Sequence, residues 1–249
     1  MAHEDLGLDK ADHKPGCVTR HVTSYIEGDT CSHRWQAATR APASWSDGYA
    51  DSMPASSLLA ATLRQYRQDK KLTPSGAYKP FATQFHPWRN NAHHIIPRST
   101  LAWALQEIAA AADPEHAAMF DAMIVFLLKE QYNLNAQVNM LMLPLEHRDA
   151  VRLGLPEHLD GSAWNHPAYN REVKTRVKLK LNPKYDALAS ELRQKKHKDE
   201  LTSPAVRRIL EGISRVTYKA ILARTSAARE ADSSASSCLD SIASLLYKR

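Results

Sequence analysis

Apolar residues recur at intervals of three and four along much of this chain, the spacing of amphipathic helices. In Ser56 to Lys71, Leu58, Leu59, Leu63 and Tyr66 share one face with Thr62, and Arg and Lys oppose them. Ser99 stands where an N-cap would open a second helix through Leu101, Ala104, Leu105 and Ile108, ending in the alanines 109–112. Asp113-Pro114-Glu115 is a restart signal for a third helix to about Gln131, with Met119, Met123, Phe126 and Leu127 on its core face. Between these lie two short β-type runs, one in Arg89 to Pro97 and one in Met140 to Leu143, each closed by a proline. Tyr132 to Asn139 is an Asn-rich loop, and Leu145 to Ala163 a charged one. A further helix opens at His166-Pro167 and is expected to stop at Asn182-Pro183. Several helices follow from Tyr185 to Arg249, with a Ser/Ala-rich break at 233–237. Residues 1–54 show no clear period. The pattern predicts an α+β fold, mostly helical, with one small β element in the middle.

Composition narrows this little: 249 residues with 43% hydrophobic content are enough for a buried core. The stretch from Met119 to Leu128 contains an acid and is too short to span a bilayer, so no membrane insertion is expected. The N-terminus carries acids and lacks an apolar signal region, which points to a soluble cytoplasmic product whose export would need no cleaved leader. Charge is more telling in its distribution than in its net value of +6. Arg171 to Arg229 holds 16 Lys and Arg against 6 Asp and Glu, whereas the rest of the chain is slightly acidic. A basic segment of this kind suits a polyanionic partner. Cys17, Cys31 and Cys238 make no disulfide framework. Cys17 and His21 with Cys31 and His33 do not have a common zinc spacing, and reduced thiols are the simpler reading.

The chemistry concentrates in Asn91-Ala92-His93-His94-Ile95-Ile96-Pro97. Neighbouring residues on an extended strand point to opposite faces, so the two histidines cannot share one job. One can hold a metal ion while the other handles a water. A strand with His-His, an Asn-bearing hairpin and a helix opening with His together suit phosphodiester cleavage. One His of the pair and the helix His bind a divalent ion and leave coordination positions open. The other His takes a proton from water, work that its pKa suits. An Asn amide oxygen fixes the tautomer of that imidazole.

These residues resemble the HNH nucleases of the ββα-metal (His-Me finger, treble-clef-like) group, and within it the AHH branch found largely among bacterial toxin modules. The motif runs Ala92-His93-His94-Ile95-Ile96-Pro97, then Asn139 ahead of Leu143-Pro144, then His166-Pro167-Ala168-Tyr169-Asn170 with Val173. The resemblance implies that His93 and His166 are metal ligands, that His94 is the general base and that Asn139 orients it. It places Asn170, and less directly His158, as a further metal or phosphate contact. Met140 stands where the branch commonly has Gly, which touches the turn of the hairpin rather than the metal site. Lys174, Arg176 and Lys178 are the expected nucleic-acid contacts on the helix after His166.

On this basis the chain divides into a possible delivery or docking segment at 1–75, a nuclease core at 76–183 and a basic helical extension at 184–249. The implied activity is a largely sequence-nonspecific DNase using one divalent ion, Mg2+, Zn2+ or another transition metal. The branch implies an antibacterial effector made in the bacterial cytoplasm and passed into a target cell by a contact-dependent, type VI-like secretion route. Its implied partners are DNA, a cognate immunity protein, and secretion components or an adaptor. The alternatives are an RNase of the same fold, or a zinc-stabilised module that binds nucleic acid without cutting it.

Overall fold

The computed structural model describes residues 32–39, 90–111, 116–147, 150–151, 154–158, 166–194, 205–231 and 238–247. The helix expected over 56–71, the thiols Cys17 and Cys31, the Asp113-Pro114 restart and the 233–237 break lie outside these residues, as does most of the 1–75 segment. Within the described residues the fold is α+β and mostly helical, with one two-stranded antiparallel sheet. No helix among them is long and apolar enough to cross a membrane.

The first described element is a helix where no period was evident: α1, His33–Thr39, opens on Ser32, whose hydroxyl accepts the Trp35 N–H at 3.3 Å. Strand β1, Asn90–His94, carries the histidine pair. Helix α2, Arg98–Ala110, starts earlier than Ser99 would allow as a cap, because the Pro97 carbonyl already accepts the Leu101 N–H at 2.9 Å. Pro97, with φ −63°, fits the position that leads into a helix and donates no N–H there. Ser99 therefore lies in the first turn. Helix α3, His116–Lys129, buries Met119, Met123, Phe126 and Leu127 as its spacing predicts. Gln131, at φ 54°, then turns the chain, with Tyr132 N–H bonded to the Leu127 carbonyl and Gln131 N–H to that of Leu128. This is a Schellman ending with Gln in the place usually held by Gly.

Strand β2, Met140–Pro144, pairs with β1 in the register Ala92 to Met142 and His94 to Met140. The expected hairpin is thus not a tight turn, since α2 and α3 are inserted between its two strands. All five β2 residues are buried because both faces are covered. Met140 and Met142 pack with Ala37 of α1 and Ala92, while Leu141 and Leu143 join the main core. Gly was therefore not needed at position 140, where a large side chain fills the space under α1.

Helix α4, Pro167–Gln194, runs straight through Pro183, contrary to the stop expected at Asn182-Pro183. Its buried stripe, Tyr169, Val173, Val177, Leu181, Tyr185 and Leu188, keeps its three- and four-residue steps past the proline, which sits on the exposed side. An internal proline costs roughly 3 kcal/mol, and burying each large apolar side chain beyond it returns about 1.5–3 kcal/mol. The core wins. Helix α5, Val206–Ala231, begins against Glu130, whose carboxylate accepts the N–H groups of Val206 and Arg207 at 3.1 and 2.7 Å. A short helix α6, Leu239–Ile242, and the turn after it bury Leu239, Ile242, Ala243 and Leu246.

Replacing Pro183 by Ala restores the missing backbone bond on an exposed face without disturbing the stripe. We expect Pro183→Ala to stabilise the protein by about 1–3 kcal/mol, read as a higher urea midpoint at unchanged slope. An unchanged or lower midpoint would show that the proline relieves some other conflict in α4.

Candidate metal centre

Three histidines from three separate segments converge where β1 ends. His93 leaves β1 on the face turned to α4. His158 follows β2, its N–H donating to the Pro144 carbonyl at 2.7 Å. His166 precedes α4 with φ 37°, a left-handed conformation that is uncommon for a residue other than Gly, and its carbonyl accepts the Asn170 N–H at 2.8 Å. Each of the three offers a ring nitrogen lying within 4.8 Å of the others. Their ring centroids are 4.9 to 5.5 Å apart and nearly perpendicular in two of the three pairs. All three are largely buried, at 9%, 3% and 1% exposure. The set is close enough to bind a metal ion.

The donor chemistry fits such an ion. Nε2 of His93 and both ring nitrogens of His166 are buried without a hydrogen-bond partner. Burying a polar nitrogen unsatisfied costs on the order of 1–3 kcal/mol, so three of them in one place call for a ligand. Burial pushes the His93 imidazole well below its ordinary range, and the charges that His158, His166 and His94 would carry push it further. Burial also lowers His166, opposed in part by the Asp240 carboxylate. Both rings are therefore neutral near pH 7, the form that donates a lone pair to a cation. Among the described residues no Cys, Asp or Glu joins the group. Tetrahedral sites closed by protein use four ligands; three leave a position open.

His94 leaves the strand on the other face, as neighbours on a strand must. Its Nε2 donates to Asn135 Oδ1 at 2.8 Å, and its ring lies 5.8 Å from that of His33 on α1. Asn135 is held in turn by its own N–H donating to Asn133 Oδ1 at 2.9 Å. An imidazole that donates from Nε2 carries its basic lone pair on Nδ1.

Asn139 does not orient His94. Its Oδ1 accepts the Ile96 N–H and the Ser214 hydroxyl, both at 2.8 Å. Its Nδ2 donates to the carbonyls of Leu134, at 2.8 Å, and Ile96, at 3.2 Å. Both donors and both acceptor positions of the amide are used, and the side chain is 1% exposed. With no capacity left for an imidazole, Asn139 instead ties the exit of β1 to the loop before β2 and to α5. The orienting contact belongs to Asn135, which the sequence shows only as one of several turn-forming asparagines.

The remaining expectations divide. The structure brings His93 and His166 together and adds His158, whose part was the least certain from sequence. Asn170 sits one turn into α4, tied by its backbone to His166. The three expected nucleic-acid contacts all have partners inside the protein. Lys174 and Lys178 each bond Glu107 of α2 at 2.6 Å, and Lys174 also lies over the Trp103 ring. Their hydrogen bonds hold the Glu107 carboxyl below its usual range. Arg176 stacks on Tyr247. Side chains that bind helices together are poor candidates for first contact with a phosphate. His33 was missed because no periodicity marks α1, and Asn135 because three asparagines crowd one loop.

Two outcomes follow. Asn139→Ala would strand buried partners on three segments, so we expect a loss of roughly 3 kcal/mol or more in urea denaturation; an orienting role alone would cost activity and leave stability intact. For the metal-free protein, the folded imidazoles of His93 and His166 titrate below the unfolded ones, which titrate near 6.5. The unfolded chain then binds more protons below about pH 6.5, so stability is held above that pH and lost as pH falls. Equal urea midpoints at pH 7.5 and 5.5 would contradict the buried, neutral state. Comparisons of the chain with protein-family models, with curated proteins and with solved structures give no match.

Proposed function

We propose that this chain is a metal-dependent endonuclease of the ββα-metal kind, hydrolysing phosphodiester bonds in DNA. What supports the reading above all is one strand that turns His93 toward two further imidazoles and His94 away from them. A candidate general base and a cation site thus sit on consecutive residues, the two functions that hydrolysis by an activated water combines.

His93, His158 and His166 would hold one divalent ion, and imidazole ligands suit a transition metal such as Zn2+ better than Mg2+, which prefers oxygen ligands. When bound, that ion would act as a Lewis acid on a phosphate oxygen and neutralise charge that develops on it. His94 accepts the proton of the attacking water at Nδ1. Asn135 holds the ring by its Nε2–H, so the tautomer with a basic Nδ1 is in place before substrate arrives. As its proton passes to His94 the water oxygen bonds to phosphorus, the bond from phosphorus to the leaving oxygen breaks in line, and that oxygen takes a proton from solvent.

Substrate attraction falls to residues other than the three first expected. Arg171, Lys180 and Lys184 on α4 and Arg208 and Lys219 on α5 are exposed and supply the positive field. Nothing among them forms a base-reading element, which favours cleavage without sequence preference. DNA rather than RNA, action as an antibacterial toxin, a cognate immunity protein and contact-dependent delivery rest on the resemblance of the His-His, Asn and His-Pro motifs alone. A closed, purely structural zinc site is disfavoured by the set of three ligands found among the described residues.

The test is digestion of plasmid DNA and of RNA by the purified protein with added Zn2+, Mn2+ or Mg2+. His94→Ala should cut about 10²–10⁴-fold more slowly while binding metal as wild type does, and excess chelator should stop wild type. Equal rates for mutant and wild type would remove His94 as base. Failure to cut either substrate with any of these ions would leave a binding module.

A further inference from the structure

The last described segment, 238–247, lies far along the chain from the histidine motifs yet touches two of the three ligand-bearing segments. Cys238 forms a parallel bridge with Glu157, the residue before His158. Two residues on, Asp240 Oδ1 accepts the backbone N–H of Tyr169 at 2.9 Å, in the first turn of the helix that His166 opens. The Asp240 charge is also felt at the His166 ring, where it opposes the effect of burial. The segment itself is firmly seated. Leu239, Ile242, Ala243 and Leu246 are buried, Ser241 closes a capping box with Cys238, and Tyr247 and Leu245 bond Thr217 and Arg224 of α5.

Three imidazoles at this spacing must be held against relaxation, and two of them, His158 and His166, lie outside helix and strand. His166 holds a φ of 37°, uncommon for a residue other than Gly. The N–H groups at the start of α4 need an acceptor, since helix termini leave them without partners. Asp240 supplies one from a distant part of the chain, while the Cys238 bridge steadies the loop of His158. Tyr169, the residue Asp240 grips, also donates its hydroxyl to the Ile95 carbonyl at 2.6 Å and places its ring 5.7 Å from that of His93. The segment therefore touches the surroundings of all three ligands, its carboxylate on the His166 and His93 side and its Cys238 bridge beside His158.

We propose that residues 238–247 form a strap that aligns the metal centre, with Asp240 as the positioning residue that sets His166 relative to His93 and His158. The proposal rests on the reading of those three histidines as metal ligands. Outer residues that orient ligands typically account for about 10–100-fold in metal affinity. Asp240 does so chiefly by the position of its oxygen, since the Tyr169 N–H needs an acceptor at that point, and its charge adds a smaller influence.

Titration of the full-length, metal-stripped protein with Co2+ tests this, because the ion reports both affinity and coordination through its visible absorption. Asp240→Ala should bind Co2+ about 10–100-fold more weakly than wild type. Asp240→Asn keeps an oxygen at the same place and should stay within about 3-fold of wild type with the same spectrum. Asp240→Glu keeps the charge but shifts the oxygen by one methylene, so it should bind more weakly than the Asn variant. Equal affinity in wild type and Asp240→Ala overturns the strap, as does Glu binding as well as or better than Asn. The Asn and Glu pair decides the matter should the Ala variant fail to fold. A wild-type protein that binds no Co2+ would instead remove the metal centre, and the strap with it.

Discussion

The site depends on how the chain is held where β1 ends. There the amide of Asn139 grips both the N–H and the carbonyl of Ile96, and reaches Leu134 and Ser214 as well. The Ile95 N–H adds a bond to the Asn139 carbonyl at 2.8 Å, and the Ile95 carbonyl takes the Tyr169 hydroxyl. Ile95 and Ile96 are fully buried, so these backbone groups have no water to fall back on. The histidine pair immediately before them inherits this rigidity. His93 can then face two buried imidazoles and His94 a polar loop without either being able to exchange faces.

Such rigidity matters because the centre is costly in its metal-free form. Buried nitrogens without partners and a non-Gly residue at positive φ are features for which a bound cation would account. The surrounding elements over-determine the arrangement: β2 anchors His158, α4 carries His166, and the C-terminal segment touches both regions. The same logic accounts for the basic residues of α4. Lys174 and Lys178 share Glu107 and so fasten α2 to α4, which keeps the helix behind the site in place.

Much of this was legible in the sequence, and the parts that were not have physical reasons. The stripes of α2 and α3 and the two short strands follow from local spacing, and so does the start of α4 at His166-Pro167. Pro183 misled because a local rule about helix breaking was outweighed by a buried stripe that continues to Leu188. The hairpin misled because the Asn-bearing strand pairs not with a near neighbour but with β1, across the two helices that the spacing already placed between them. At the site, His93 and His166 were readable from their motifs. The exchange of roles between Asn139 and Asn135 was not, since it turns on which amide is saturated by backbone partners. Asp240 is separated from Tyr169 by 71 residues, and no spacing rule reaches that far.

The central claim is that His93, His158 and His166 make one open metal centre. Its most direct test is the equilibrium binding of Zn2+ to wild type and to His158→Ala, followed by competition with a chromophoric chelator. Wild type should bind one equivalent, and loss of the third imidazole should weaken binding by at least about 10-fold. No binding by wild type, or undiminished binding by His158→Ala, would contradict it.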